Sequence, residues 1–145
     1  MFSPDFKEFL QLLNDHGVEY MLVGGYAVGF YGYPRYTGDL DIWVKPSRES
    51  GERLKRVLEK FGFGSLTITA EDFAKDDAVI QLGYPPLRID LVTTLDGVSF
   101  DECYMRRQTY AAEGVSVDFI ALDDLKRNKR TVGRTRDLDD LENLK

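Results

Sequence analysis

The sequence holds one cysteine, one histidine, no positive excess of charge and no long apolar run. Each shortage excludes something. Cys103 alone cannot close an intrachain disulfide, and a reducing, cytoplasmic setting is the simple inference. His16 falls in the last turn of a predicted helix, where its ring suits the helix dipole. A capping or surface role therefore serves better than catalysis. No apolar stretch approaches the roughly 20 residues of a membrane span. Asp5, Lys7 and Glu8 come too early for a signal peptide. A formal charge of −6 argues against general nucleic-acid binding by bulk electrostatics. There is no internal repeat, linker or low-complexity segment. What is present, 43% apolar and 30% charged residues in a chain of 145, fits one globular domain with a core of its own.

The stretch Tyr20 to Val44 organises the rest. It reads as strand, glycine turn, short helix, loop and second strand. The apolar run Tyr20-Met21-Leu22-Val23 ends at Gly24-Gly25. Glycines there let backbone approach a ligand, and the N–H groups opening the next helix favour an anion. A packing turn explains the same pair, and the spacing matches neither a P-loop nor GxGxxG. In the second strand, Asp39 and Asp41 alternate with Leu40, Ile42 and Val44. Strand geometry puts the two carboxylates on one face, about 7 Å apart. Two like charges in a half-buried strand repel, and leaving them unpaired costs several kcal/mol. A divalent cation would relieve this with hard oxygen ligands. So would an ion pair, with Arg35 the obvious partner. The aromatic side chains of Tyr26, Phe30, Tyr31, Tyr33 and Tyr36 serve either packing or base stacking, and packing is the simpler reading.

The remaining elements follow from periodicity and punctuation. Ser3-Pro4 caps a helix with Phe6, Phe9, Leu10 and Leu13 on one stripe, stopped by Gly17. Ser47 caps a second helix to about Phe61, with a charged outer face and Gly62 as its end. Residues 71–75 form a helical turn. Residues 78–82 and 87–93 pair as strands across Gly83-Tyr84-Pro85-Pro86. In the latter strand Asp90 points away from Leu87, Ile89 and Leu91, and Arg88 sits too close in sequence to be its obvious partner. Residues 95–104 read as loop, with Cys103 structural. Two further strands flank Glu113-Gly114, and a helix opens at Ala121-Leu122-Asp123. It carries a basic run through Lys126, Arg127, Lys129, Arg130, Arg134 and Arg136. A final helix over 137–144 presents Leu138, Leu141 and Leu144.

Val23-Gly24-Gly25, then Asp39-Leu40-Asp41-Ile42, then the isolated Asp90 form an ordered set. It resembles the nucleotidyltransferase superfamily that includes DNA polymerase beta, the aminoglycoside and lincosamide nucleotidyltransferases and the minimal nucleotidyltransferases. Arg35-Tyr36-Thr37-Gly38 before the pair resembles one small branch of it, in which Arg-x-Thr-x-Asp-x-Asp is typical. The order Leu125-Lys126, Lys129, Arg134, Asp137, Asp140, Leu141 resembles the C-terminal end of that branch.

The resemblance implies an α+β fold, a mixed sheet flanked by helices, in a single domain. It implies transfer of a nucleoside monophosphate from a nucleoside triphosphate to an acceptor, with release of pyrophosphate. Asp39, Asp41 and Asp90 would be catalytic and would hold two Mg²⁺ ions, with Mn²⁺ as the alternative. Gly24 and Gly25 would seat phosphates, Arg35 would counter the charge of the leaving pyrophosphate, and Thr37 would bond it or fix the loop. Lys126 would contact a phosphate; the basic run could also take RNA, which nothing in the sequence requires. The second helical domain of larger members has no counterpart here, so the acceptor is undefined and a partner chain or dimer is expected to complete the cleft. The competing reading is a weakly catalytic or non-catalytic module of this fold that binds a toxin-like or helical partner. With the resemblance set aside, what remains is a small α+β domain with a metal or ion-pair cluster.

Overall fold

The computed structural model describes residues 2–34, 37–64, 67–84 and 87–144. Helix α1, Pro4–Asp15, starts where the Ser3 hydroxyl accepts the Phe6 N–H at 3.1 Å, and it buries Phe6, Phe9, Leu10 and Leu13. Strand β1, Tyr20–Val23, is buried along its whole length, which is why it reads as an unbroken apolar run. Helix α2, Gly24–Phe30, follows without an intervening loop. Strand β2 is Asp39–Val44, and helix α3 is Arg48–Phe61, capped by Ser47 and closed by Gly62 in the left-handed conformation. A 3-10 turn over Ala70–Phe73 leads to β3, Val79–Tyr84, and β4, Leu87–Val92. Helix α4, Phe100–Met105, precedes β5, Gln108–Ala112, and β6, Val115–Phe119. Helices α5, Leu122–Val132, and α6, Thr135–Asn143, end the chain.

Among the described residues the strands form one mixed sheet in the order β3-β4-β2-β1-β6-β5. β1 is antiparallel to β2 and parallel to β6; β2 is parallel to β4; the two outer pairs are antiparallel. The central strands thus come from distant parts of the chain, as a mixed sheet with crossover connections requires. The fold is α+β, with helices flanking the sheet. Among the described residues no helix is long and apolar enough to cross a membrane.

Three expectations are corrected. Residues 95–104 are not all loop: α4 forms there, burying Phe100 and Cys103. Phe100 packs edge-on against Trp43 at 5.2 Å, and Trp43 donates its indole N–H to the Thr93 carbonyl at 3.2 Å. Two buried positions in six residues are too few for a periodicity to show. Burial pushes the Cys103 thiol up to about 11, so it packs as a neutral side chain. The last helix begins at Thr135, and the expected leucine stripe holds only in part: Leu144, just past its end, is buried in the core, but Leu138 is not. Leu138 is 53% exposed, whereas Asp137 and Asp140 are buried. The reason is Lys129 on α5, itself buried, whose Nζ lies 3.2 Å from Asp137 Oδ1 and 2.9 Å from Asp140 Oδ2. Third, Arg88 is the partner of Asp90 despite standing two residues away, because residues i and i+2 of a strand share a face.

The described aromatic residues near α2 are packing elements. Phe30 stacks on Phe119 with centroids 4.0 Å apart, Tyr26 stacks on Phe2, and the Tyr31 hydroxyl donates to the Ile120 carbonyl at 2.6 Å. Tyr36, Arg35 and Pro85-Pro86 lie outside the described residues.

Candidate active site

The parallel pairing of β2 with β4 sets Asp41 opposite Asp90 and Asp39 opposite Arg88. All four side chains belong to one face of the sheet. That face floors a cleft of about 400 Å³, walled on one side by Gly24, Gly25 and Thr37 and on the other by α5 and the start of α6. The walls are fixed by specific contacts. Asn128 on α5 donates to the Asp96 carbonyl at 2.9 Å. Gly97, at φ +85°, lets the loop after β4 press on Thr131, where a Cβ would collide.

The glycine pair has a packing reason visible in the same place. Gly24 has φ +65°, and a Cβ on it would strike the Asp41 carboxylate. A Cβ on Gly25 would lie 2.9 Å from Thr37 Cβ and Oγ1. The turn therefore lies directly against Asp41 and Thr37. Thr37 in turn donates its hydroxyl to the Asp39 carbonyl at 3.2 Å, holding the loop that enters β2.

The charges are unevenly shared. Arg88 Nε lies 2.8 Å from Asp90 Oδ1, and Arg88 Nη2 lies 3.1 Å from both Asp90 Oδ2 and Asp39 Oδ2. Asp41 has no hydrogen bond or ion pair among the described residues. Burial, and then the charges of Asp90 and Asp39, push its carboxyl up to about 6; Arg136 and Arg88 offset this only in part. Behind the cleft, Asp137 accepts from Lys129, from the Arg134 guanidinium at 2.8 Å and from the Arg134 backbone N–H at 3.2 Å. Burial alone would raise its pKa, but these bonds and charges outweigh it and hold the carboxyl below its ordinary value.

Gly24, Gly25, Thr37, Asp39, Asp41 and Asp90 are thus brought to one cleft. Arg35 lies outside the described residues. Lys126 is not among the residues lining the cleft; Lys129 is, with Arg134 and Arg136. The helix phase carried the signal for this. With Leu125 inward, positions three and four residues on share its face, which selects Asn128 and Lys129 and turns Lys126 aside. For Arg88 the alternation of β4 carried the signal for its pairing with Asp90, whereas its hold on Asp39 depends on the register of β2 against β4.

Hard oxygen donors from Asp39, Asp41 and Asp90 suit a divalent cation in chemistry. The partly buried Asp41 carboxylate, without an ion pair among the described residues, carries charge that such an ion would relieve. Among the described residues, however, no three acidic, histidine or cysteine side chains are gathered as a ligand set, and Arg88 draws two of these three aspartates to itself.

The fold is nucleotidyltransferase-like, as its structural neighbours show. Solved structures of that kind superpose on the chain. The crystal structure of the nucleotidyltransferase candidate TM1012 from Thermotoga maritima matches with a TM-score of 0.66 at 13% identity, covering 99% of this chain and 94% of that one. The solution structure of the antibiotic-resistance factor ANT(2'')-Ia matches at 0.60 and 11% identity, over 95% of this chain and 79% of that one. An antigenic nucleotidyltransferase-like protein from Paracoccidioides brasiliensis matches at 0.54 and 18% identity, over 99% and 77%. No protein-family model and no curated protein matches the chain.

Proposed function

We propose that this chain is a metal-dependent nucleotidyltransferase. It moves a nucleoside monophosphate from a nucleoside triphosphate to an acceptor group and releases pyrophosphate. The observation that carries the reading is the register that sets Asp41 beside Asp90, with Asp39 on the same face, in a cleft of this fold. Asp39, Asp41 and Asp90 would hold two Mg²⁺ ions, or Mn²⁺ in their place. When bound, such ions neutralise phosphate charge and orient the attacking and leaving oxygens. In the transfer the acceptor oxygen bonds to the α-phosphorus, the bond from that phosphorus to the β-bridging oxygen breaks, and the acceptor proton leaves. Asp90, on the cleft floor, is the group to receive that proton. Gly24 and Gly25 let the turn lie against Asp41 and Thr37 at the cleft, where their backbone N–H groups would meet the phosphates, and Thr37 keeps that wall in place. Arg136 lines the cleft without an ion pair among the described residues, so its charge is open to the triphosphate.

The test is calorimetric titration of ATP, GTP, CTP and UTP into the chain, with and without Mg²⁺, repeated on Asp39→Asn. Metal-dependent binding lost in the variant supports the site and names the nucleotide. Absence of binding by a folded protein favours the second reading, a module of this fold that acts by binding a protein partner. One observation speaks for that reading: Arg88 pairs with both Asp39 and Asp90. Isolation of a stable complex with no nucleotide turnover would establish it.

A further inference from the structure

Arg88 occupies the position that a cation shared by Asp39 and Asp90 would need. Its Nη2 lies 3.1 Å from an oxygen of each carboxylate, and its Nε 2.8 Å from the second oxygen of Asp90. An ion bonded to those oxygens at about 2.1 Å would compete with the guanidinium for the same space and repel it. The backbone of Arg88 is held independently of its side chain: its N–H donates to the Gly38 carbonyl at 3.1 Å. The side chain, a quarter exposed at the cleft, can swing without breaking the sheet.

We infer that Arg88 acts as a resident counter-cation that yields its place only to metal arriving together with a triphosphate. This rests on the proposed function. Metal alone must strip a bidentate guanidinium from its carboxylates and leave it facing a dication with nothing to bond. Metal carried on a triphosphate brings phosphate oxygens, and a guanidinium fork matches phosphate as well as it matches carboxylate. The arginine then exchanges one set of anionic partners for another. Metal and nucleotide bind in mutual dependence, and by linkage each raises the affinity of the other by the same factor. Arg88 is on this account a positioning residue for the acidic cluster in the free chain and a phosphate ligand in the loaded one.

The test uses the full chain freed of metal by chelation. Binding of Mn²⁺ alone is followed by the electron paramagnetic resonance signal of the free ion, for wild type and Arg88→Gln. Binding of each of the four ribonucleoside triphosphates in turn is then measured by calorimetry at fixed Mn²⁺. The expected result has opposite signs: the variant takes Mn²⁺ alone at least tenfold more tightly than wild type, and the metal-bound triphosphate at least fivefold more weakly. A merely structural role for Arg88 would weaken both, and that result, or an unchanged affinity for Mn²⁺ alone, overturns the inference. Arg88→Lys keeps the charge but loses the fork. It is expected to bind Mn²⁺ alone at least threefold more tightly than wild type, and it decides the matter if Arg88→Gln does not fold by circular dichroism. Failure of wild type to bind any triphosphate would defeat the proposed function and the nucleotide half of this inference. The comparison with Mn²⁺ alone would still decide whether Arg88 holds the cation position.

Discussion

Replacing Asp41 by asparagine should make the metal-free protein more stable, although the side chain lines the cleft. The carboxylate is pushed up to about 6 from an ordinary 3.8, first by burial and then by Asp90 and Asp39. A shift of that size corresponds to at most about 3 kcal/mol of differential stabilisation of the neutral form. The sign follows from proton counting. Between pH 3.8 and about 6 the native state holds a proton that the unfolded chain has released. Stability from this group is therefore complete below the lower value and is lost as pH rises through the higher one. Asparagine keeps the shape and removes the charge, so it should recover about 1–3 kcal/mol at pH 8. For a chain of this size each kcal/mol moves the melting temperature by about 2–4 °C. The assay is calorimetric melting of both proteins with a chelator present, at intervals from pH 4 to pH 8. The difference between variant and wild type isolates Asp41 from the other carboxylates. It should be small near pH 4 and grow through pH 6. Adding Mg²⁺ and nucleotide should then stabilise wild type and leave the variant unmoved. A variant no more stable than wild type at pH 8, or a difference that does not change with pH, would refute the electrostatic reasoning.

Other expectations concern the walls of the cleft. Lys129→Met removes the buried cation that Asp137 and Asp140 share and should cost about 3–5 kcal/mol, whereas Lys126→Met should stay within about 0.5 kcal/mol; urea denaturation of both separates the two lysines. Gly24→Ala forces a side chain into a left-handed backbone, costing about 1–2 kcal/mol, and drives its methyl onto Asp41. It should lower the melting temperature and abolish metal-dependent nucleotide binding, and a variant that binds nucleotide normally would show that the turn tolerates a side chain.

The acidic cluster was legible in the sequence because it rests on the shortest-range rule available, the alternation of strand side chains. Asp39 and Asp41 had to share a face, and Leu40 and Ile42 told which face that was. The glycine pair was legible for the same reason, since its packing against Asp41 and Thr37 lies within one strand–helix–strand unit. What escaped was set by contacts between distant segments. Arg88 stood in plain view beside Asp90, but its hold on Asp39 exists only because two strands 49 residues apart in sequence lie in one register. Asp137 and Asp140 took inner positions of α6, and Leu138 faces out, because a buried lysine on another helix awaited them. Periodicity counts apolar residues, and a salt-bridged core position carries none. Helix α4 escaped for want of length.

The register of β2 against β4 also bears on how the chain finds its fold. A slip of one residue would turn the aspartates of one strand to the far side of the sheet. A slip of two keeps the sides correct, so the choice of face alone does not discriminate against it. Electrostatics does discriminate. In the native alignment Asp39 meets Arg88; moved two places, it would meet Asp90, and the guanidinium would lose its bridge between strands. The same arginine that neutralises the cleft thus acts as a key for strand alignment. The ion pair that joins β2 to β4 thus belongs to the alignment of the strands as well as to the charge of the cleft.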